Sequence, residues 1–341
     1  MTMARGGSTA SLCITEVQRL DALRDLEDEW SRLFAEARGV TPFLHPAWLL
    51  PWCEAFGIER LCAAVVRHRT DGRLVAILPS YEVQQDPSTL ALLGGDVTDH
   101  RGPVMLACEE HAASRALLEW AGSRSSRAVF DDLPGDHPWA TSPLPDGWHR
   151  APACVCPAVP LPHSVEVWKQ RLSHGLRRNV RRYGDRLERL GRLERLVADD
   201  QTISEVVEAF LELHAARWSA RGQKGVLDSA AIQRFHRLTA PRLLNAGLLR
   251  LHAWRLDGRI VAVQHVLVHG ARACAYLAGY DPALGSLSVG TVLIAAAVEH
   301  AIAEGRREFD FLRGVESYKF AWGAINRDTW RLCWSRDANA Q

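Results

Sequence analysis

The stretch that most constrains the fold lies between residues 248 and 312. Three apolar runs, 248–255, 260–269 and 273–280, follow one another with only short turns between them. Asp257-Gly258, at the first turn, is the dipeptide a tight hairpin favours, because both of its residues tolerate left-handed backbone. A helical repeat over 289–304 then ends at Gly305, a typical residue for the position just past a helix, and a short apolar strand follows at 308–312. Three hairpin-linked strands, a helix and a strand beside the third give helices packed on a mixed sheet. The fold class expected is α/β (α+β), with mostly antiparallel sheets.

The rest of the chain fits two domains. At 341 residues it has room for two cores of about 150 residues each. Residues 1–10 are small and polar and read as disordered. Helical spacing from Asp21, a helix after Pro46, hairpin strands at 61–66 and 74–78, a helix at 112–120 and a strand at 128–130 make a first half similar in plan to the second. Residues 131–162, rich in Pro, Gly, Asp and His, read as a crossing segment, with Val155 and Val159 as possible edge-strand residues. The boundary is expected near residue 160, giving domains 11–160 and 161–341, with a closing strand at 329–334.

Hydrophobic residues are 47%, charged residues 24% and the formal net charge is +1, so bulk charge points to no polyanion partner. No apolar run is long enough for a leader or a membrane span, and the sequence predicts a cytoplasmic protein with no membrane partner. The eight cysteines show no paired ligand spacing and read mostly as small buried hydrophobes, so no metal site is expected. No Ser-His-Asp set, metal-binding His pair or Walker loop emerges, which sets hydrolase, metalloenzyme and NTPase readings aside.

Four segments carry candidate chemistry. Asp310, Arg313, Glu316, Tyr318 and Lys319 fall within ten residues, interleaved with Phe311, Phe320 and Trp322. Ser288-Val289-Gly290-Thr291 opens the apolar helix just after a strand ending in Tyr280, and unpaired N–H groups at a helix start stabilise phosphate. Residues 163–195 carry a local charge of +6, with Arg178, Arg182 and Arg186 on one helical face. In the segment His214 to Gly222, Trp218 is a pocket wall or a helix anchor. In the first half, Leu93-Gly94-Gly95-Asp96 is the nearest thing to a phosphate loop, but Arg101-Gly102-Pro103 separates it from any helix and it reads as a turn.

The order of elements, the His174–Arg182 stretch and the His214–Gly222 segment resemble the CelD-like (BioF2-like) acyltransferases of the GNAT superfamily, which hold two GNAT folds in one chain. The resemblance implies acyl transfer from acyl-CoA, acetyl-CoA among them, to an amine or hydroxyl of a small polar metabolite or saccharide. On it, the donor is held by Tyr280 and Ser288–Thr291, although the basic first position and second glycine of the usual loop are absent. Tyr318 is then the acid for the leaving thiolate, and Glu316 or Asp310 the base if burial raises its carboxyl towards neutrality. Lys319, Arg313, Trp218, Arg178 and Arg182 would hold the substrates, and backbone N–H groups near 276–280 would form an oxyanion hole. The alternative is an aminoacyl-tRNA-dependent transferase resembling the Fem peptidyltransferases, with tRNA as partner. A third reading is a GNAT-like binding protein without chemistry.

Overall fold

The computed structural model describes residues 11–336. The segment expected to be disordered, 1–10, lies outside the described residues. The chain divides into two compact units: Met1–Cys154 with Asp328–Gln341, and Val155–Arg327. Each packs helices on open, mostly antiparallel sheets, so the fold class is α/β.

The first unit has a four-stranded sheet in the order Leu12–Val17, Ala63–His68, Leu74–Leu78, Val104–Met105. A second sheet runs Ser80–Val83, Asp86–Leu92, Arg127–Pro134, Asp328–Ser335, Trp148–Val155. Trp30, Trp48, Trp139 and Phe130 are fully buried in this unit. The closing strand expected in the second half instead pairs antiparallel with Arg127–Pro134, Leu332 opposite Phe130. Residues 131–162 are not a simple crossing segment either, because they contribute the strand Trp148–Val155. That strand includes Pro152 and sits at the edge of its sheet, where a missing N–H breaks no ladder. Leu93–Asp96 forms a turn: Gly94 and Gly95 both have positive φ, and the Thr98 hydroxyl donates to the Gly94 carbonyl at 3.0 Å.

The second unit carries the labels used below. Its strands are β1 (Ala158–Pro160), β2 (Leu193–Val197), β3 (Leu249–Leu256), β4 (Arg259–His269), β5 (Arg272–Tyr280) and β6 (Glu308–Asp310). They form one sheet in the order β2-β3-β4-β5-β6-β1. The helices are α1 (Val165–Arg171), α2 (His174–Glu188), α3 (Ile203–Ser219), α4 (Ala230–Asn245), α5 (Val289–Ala303) and α6 (Ser317–Ala321). Asp257 and Gly258 both adopt positive φ at the β3–β4 turn, as their residue types require. The basic region is two helices rather than one. Leu172 breaks it and Ser173 caps α2, accepting from the Leu176 N–H at 3.2 Å.

Alternation along β4 sorts the two faces of this sheet. His265 packs against Phe210 of α3, while its neighbour Val266 joins Val298 and Ile302 of α5 in a core that includes Trp168 and Trp322, whose rings stack 6.0 Å apart. The site lies at the end of this sheet where β5 and β6 part.

Candidate active site

Strands β5 and β6 run parallel and pair only from Arg272–Glu308 to Cys274–Asp310. Beyond that, β5 continues to Tyr280 while β6 stops. The Phe311 N–H turns away to the Pro157 carbonyl at 2.9 Å, and Leu312 takes φ +57. The outer half of β5 therefore has an edge with no neighbouring strand. A bulge sits within it: His265 faces Leu277 but Val266 faces Ala275, leaving Tyr276 as the extra residue. Asp281 donates to Val261 at 2.9 Å, and antiparallel pairing alternates, so Ala278 and Tyr280 turn their backbone groups to the open edge. The two N–H groups lie roughly 7 Å apart along the strand, so one of them at a time can receive a developing oxyanion.

The loop after β6 is pinned by its own side chains. Asp310, 2% exposed, accepts from the Leu312 N–H at 2.7 Å. Lys319 is equally buried, and its ammonium donates to the carbonyls of Leu312, Arg313 and Gly314 at 3.1, 2.8 and 2.9 Å. It also meets Glu316 Oε2 at 2.9 Å. Lys319 thus spends its donors on the loop rather than presenting a free ammonium to a substrate. Glu316 stands just before α6 with most of its side chain in solvent. Burial works to raise its carboxyl, but the hydrogen bond and charge of Lys319 outweigh burial and hold it below the usual carboxylate range. The lift towards neutrality that would make Glu316 a strong base is not there.

Tyr318, one residue before Lys319, points the other way. It is 49% exposed and edge-on to Phe311 with ring centres 6.0 Å apart. Partial burial raises its phenol above the ordinary value, the Glu316 charge adds to the rise, and Arg217 opposes it. The phenol therefore stays protonated through neutral pH, the state an acid requires.

Arg217 comes from the last turn of α3 and was not singled out from the sequence. It is half-buried; its Nη1 donates to the Ala278 carbonyl on the open edge at 3.2 Å, and its guanidinium carbon lies 4.7 Å from the Tyr280 ring centre. The available signal was that Arg217 is the single basic residue other than His214 in the α3 sequence. Trp218 beside it acts as an anchor: its indole N–H donates to His214 Nε2 at 3.0 Å. Gly225 lies so close that a Cβ there would meet His214 and Trp218 at 2.7 and 2.8 Å.

At the start of α5, Ser288 holds left-handed backbone (φ +47), and its carbonyl accepts from the Thr291 N–H at 2.9 Å. Val289 is buried in a core with Leu187 and Trp254, so its side chain is not available to a ligand. A Cβ on Gly290 would stand 3.6 Å from Tyr280 Cε1, an ordinary contact. The basic helix reaches the same place. The Tyr183 oxygen accepts from Arg182 Nη2 at 2.8 Å and is hydrogen-bonded by Ser288, and these two contacts, Ser288 first, lower its phenol. Arg178 lies one turn away, exposed. The structure thus groups Tyr280, Ser288–Thr291 and Arg182 at the α5 start, and Tyr318, Arg217 and Tyr280 at the open edge. Asp310, Arg313, Glu316 and Lys319 form the loop beneath Tyr318.

Among the described residues no helix is long and apolar enough to cross a membrane. Comparison with curated proteins by sequence finds no match. The overall fold is similar to FemX, with a TM-score of 0.67 at 12% identity over 96% of this chain and 98% of that one. It is also similar to the C-terminal domain (DUF2156) of a putative lysylphosphatidylglycerol synthetase from Agrobacterium fabrum, with a TM-score of 0.59 at 13% identity over 93% of each chain. L-PGS from Bacillus licheniformis gives a TM-score of 0.59 at 13% identity, over 91% of this chain and 92% of that one. At such identities these likenesses speak to fold alone. The sequence profile described as "Acetyltransferase (GNAT) domain" matches residues 174–320, which span α2 through α6. The likeness to a GNAT acetyltransferase domain is thus carried by residues 174–320.

Proposed function

We propose that the second unit transfers an acyl group from acyl-CoA directly to an amine or hydroxyl of a small polar acceptor. The observation that carries this reading is the parting of β5 and β6 with Tyr318 at the opening. A thioester laid along the open edge would set its carbonyl against the N–H of Ala278 or that of Tyr280, leaving the other for the amide of the donor's arm. The donor's phosphates would meet the start of α5, with Arg182 supplying the charge that the loop itself lacks. The acceptor attacks the thioester carbon; the tetrahedral oxyanion is held by the strand, and collapse breaks the C–S bond. Tyr318 gives its proton to the departing sulfur. Glu316, ionised and beside the opening, is placed to take up the acceptor's proton, which its lowered basicity makes the slower half of the exchange.

One observation favours a second reading, an aminoacyl-tRNA donor. The fold is shared almost end to end with FemX, with L-PGS and with the C-terminal domain of a putative lysylphosphatidylglycerol synthetase, and the exposed arginines of α2 suit a polyphosphate. Calorimetric titration of the full chain with acetyl-CoA, longer acyl-CoAs and charged tRNA separates the two. Saturable binding of an acyl-CoA supports the first reading. Binding of charged tRNA with no heat from any acyl-CoA supports the second.

A further inference from the structure

Arg217 occupies an environment that a guanidinium does not ordinarily keep without a counter-charge. It is half-buried, its Nε–H is buried with no acceptor, and one of its donors is used on the Ala278 carbonyl. No carboxylate lies within 4.0 Å of it among the described residues. Arginine elsewhere in this unit is treated differently: Arg250 pairs with Glu304 at 2.6 Å and Arg272 with Glu308 at 2.8 Å. Two contacts fix the orientation of Arg217 instead. The Tyr280 ring supports the plane and the Ala278 carbonyl sets its rotation. A fork held in this way, with donors to spare, is prepared for a two-oxygen anion. Its charge also reaches the Tyr318 phenol.

We propose that Arg217 is an oxyanion receptor of this site, and that the acceptor carries the anion, a carboxylate or a phosphate close to the amine or hydroxyl that is acylated. Assigning the anion to the acceptor rests on the acyl-transfer reading; the receptor itself does not. The anion completes the charge balance of Arg217 and sets the acceptor between Ala278 and Tyr318. The donor is a second source of the same chemistry, since CoA carries phosphates, and the test separates the two.

The full chain is labelled with ¹⁵N-arginine, and the Arg217 Nε–H resonance is identified by its loss in Arg217→Lys, or by triple-resonance assignment if that variant does not fold. It is titrated with sodium acetate, inorganic phosphate and CoA, each against sodium chloride of equal ionic strength. A saturable shift with acetate or phosphate, absent with chloride, is expected. A shift with CoA alone keeps the receptor but overturns its assignment to the acceptor. No saturable shift with any of the three overturns the proposal. In parallel, thiol release from acetyl-CoA is followed with matched acceptors, glycine against ethanolamine and glucosamine 6-phosphate against glucosamine. Preference for the anionic member on the order of a hundredfold in kcat/KM, lost in Arg217→Gln and partly kept in Arg217→Lys, is expected. An equal preference in Arg217→Gln overturns the role of Arg217. If no pair is turned over, the acyl-transfer reading is what suffers, and the titration decides the receptor alone.

Discussion

The Lys319 ammonium lies 2.9 Å from the Glu316 carboxylate while also holding three consecutive carbonyls, those of Leu312, Arg313 and Gly314. This arrangement ties α6 to the loop below it and leaves Tyr318, between the two paired residues, facing the opening. Lys319→Met removes every one of these bonds from a buried position. It is expected to lower unfolding stability by about 2–4 kcal/mol, measured by urea denaturation. A change within 0.5 kcal/mol, roughly the scatter of surface substitutions, would show that the loop holds itself.

Tyr318 is half in solvent, and its ring meets Phe311 edge-on. Tyr318→Phe should leave the unfolding midpoint unchanged and reduce kcat by roughly 10²–10⁴. The wild-type rate should fall on the alkaline side only above the ordinary tyrosine range, because burial and Glu316 raise the phenol. Activity of Tyr318→Phe equal to wild type would remove Tyr318 from the chemistry.

Gly290 needs no unusual backbone, and a Cβ there would only touch Tyr280. Gly290→Ala should therefore fold and bind normally. The branched side chain of Gly290→Val would stand where a donor must approach the start of α5, weakening acyl-CoA binding by about tenfold, or 1.4 kcal/mol. Calorimetry distinguishes the two variants, and equal affinities would place the donor elsewhere.

Three histidines, His214, His236 and His265, are buried around Phe210 between α3, α4 and the sheet. Burial, aided by neighbouring positive charge, lowers His214 to about 4 and His236 to about 3, and holds His265 far below its usual value. The unfolded chain binds protons at these sites below about pH 6.5 while the native protein does not, so stability is complete above that pH and falls as pH drops towards 4. The expected loss is about 1.6 kcal/mol per histidine between pH 6.5 and pH 5. His236→Phe should flatten that dependence. An unchanged slope in urea unfolding would show that His236 does not contribute.

Much of the second unit was legible because its interactions are local. The turn at Asp257-Gly258 and the stop at Gly305 fix β3, β4 and α5 by short-range chemistry. What escaped was set by distant partners. The strand Asp328–Ser335 looks the same in either unit, and only its pairing with Arg127–Pro134 decides where it belongs. Of strand Trp148–Val155 only the edge residue Val155 was visible, the rest being hidden by prolines that an edge tolerates. Within the site, Tyr318, Glu316 and Lys319 were visible as a cluster, but which of them faces the opening depends on how the chain folds back at Leu312. Arg217 gained significance only when Tyr280 and Ala278, more than sixty residues on, came beside it.

The central claim is that the donor binds where β5 and β6 part. Hydrogen–deuterium exchange of the full chain with and without a saturating acyl-CoA tests it directly. Slowed exchange is expected at residues 276–280 and 288–292, with little change at 93–96. Protection confined to the Gly94-Gly95 turn of the first unit, with the open edge of β5 exchanging as before, would contradict it.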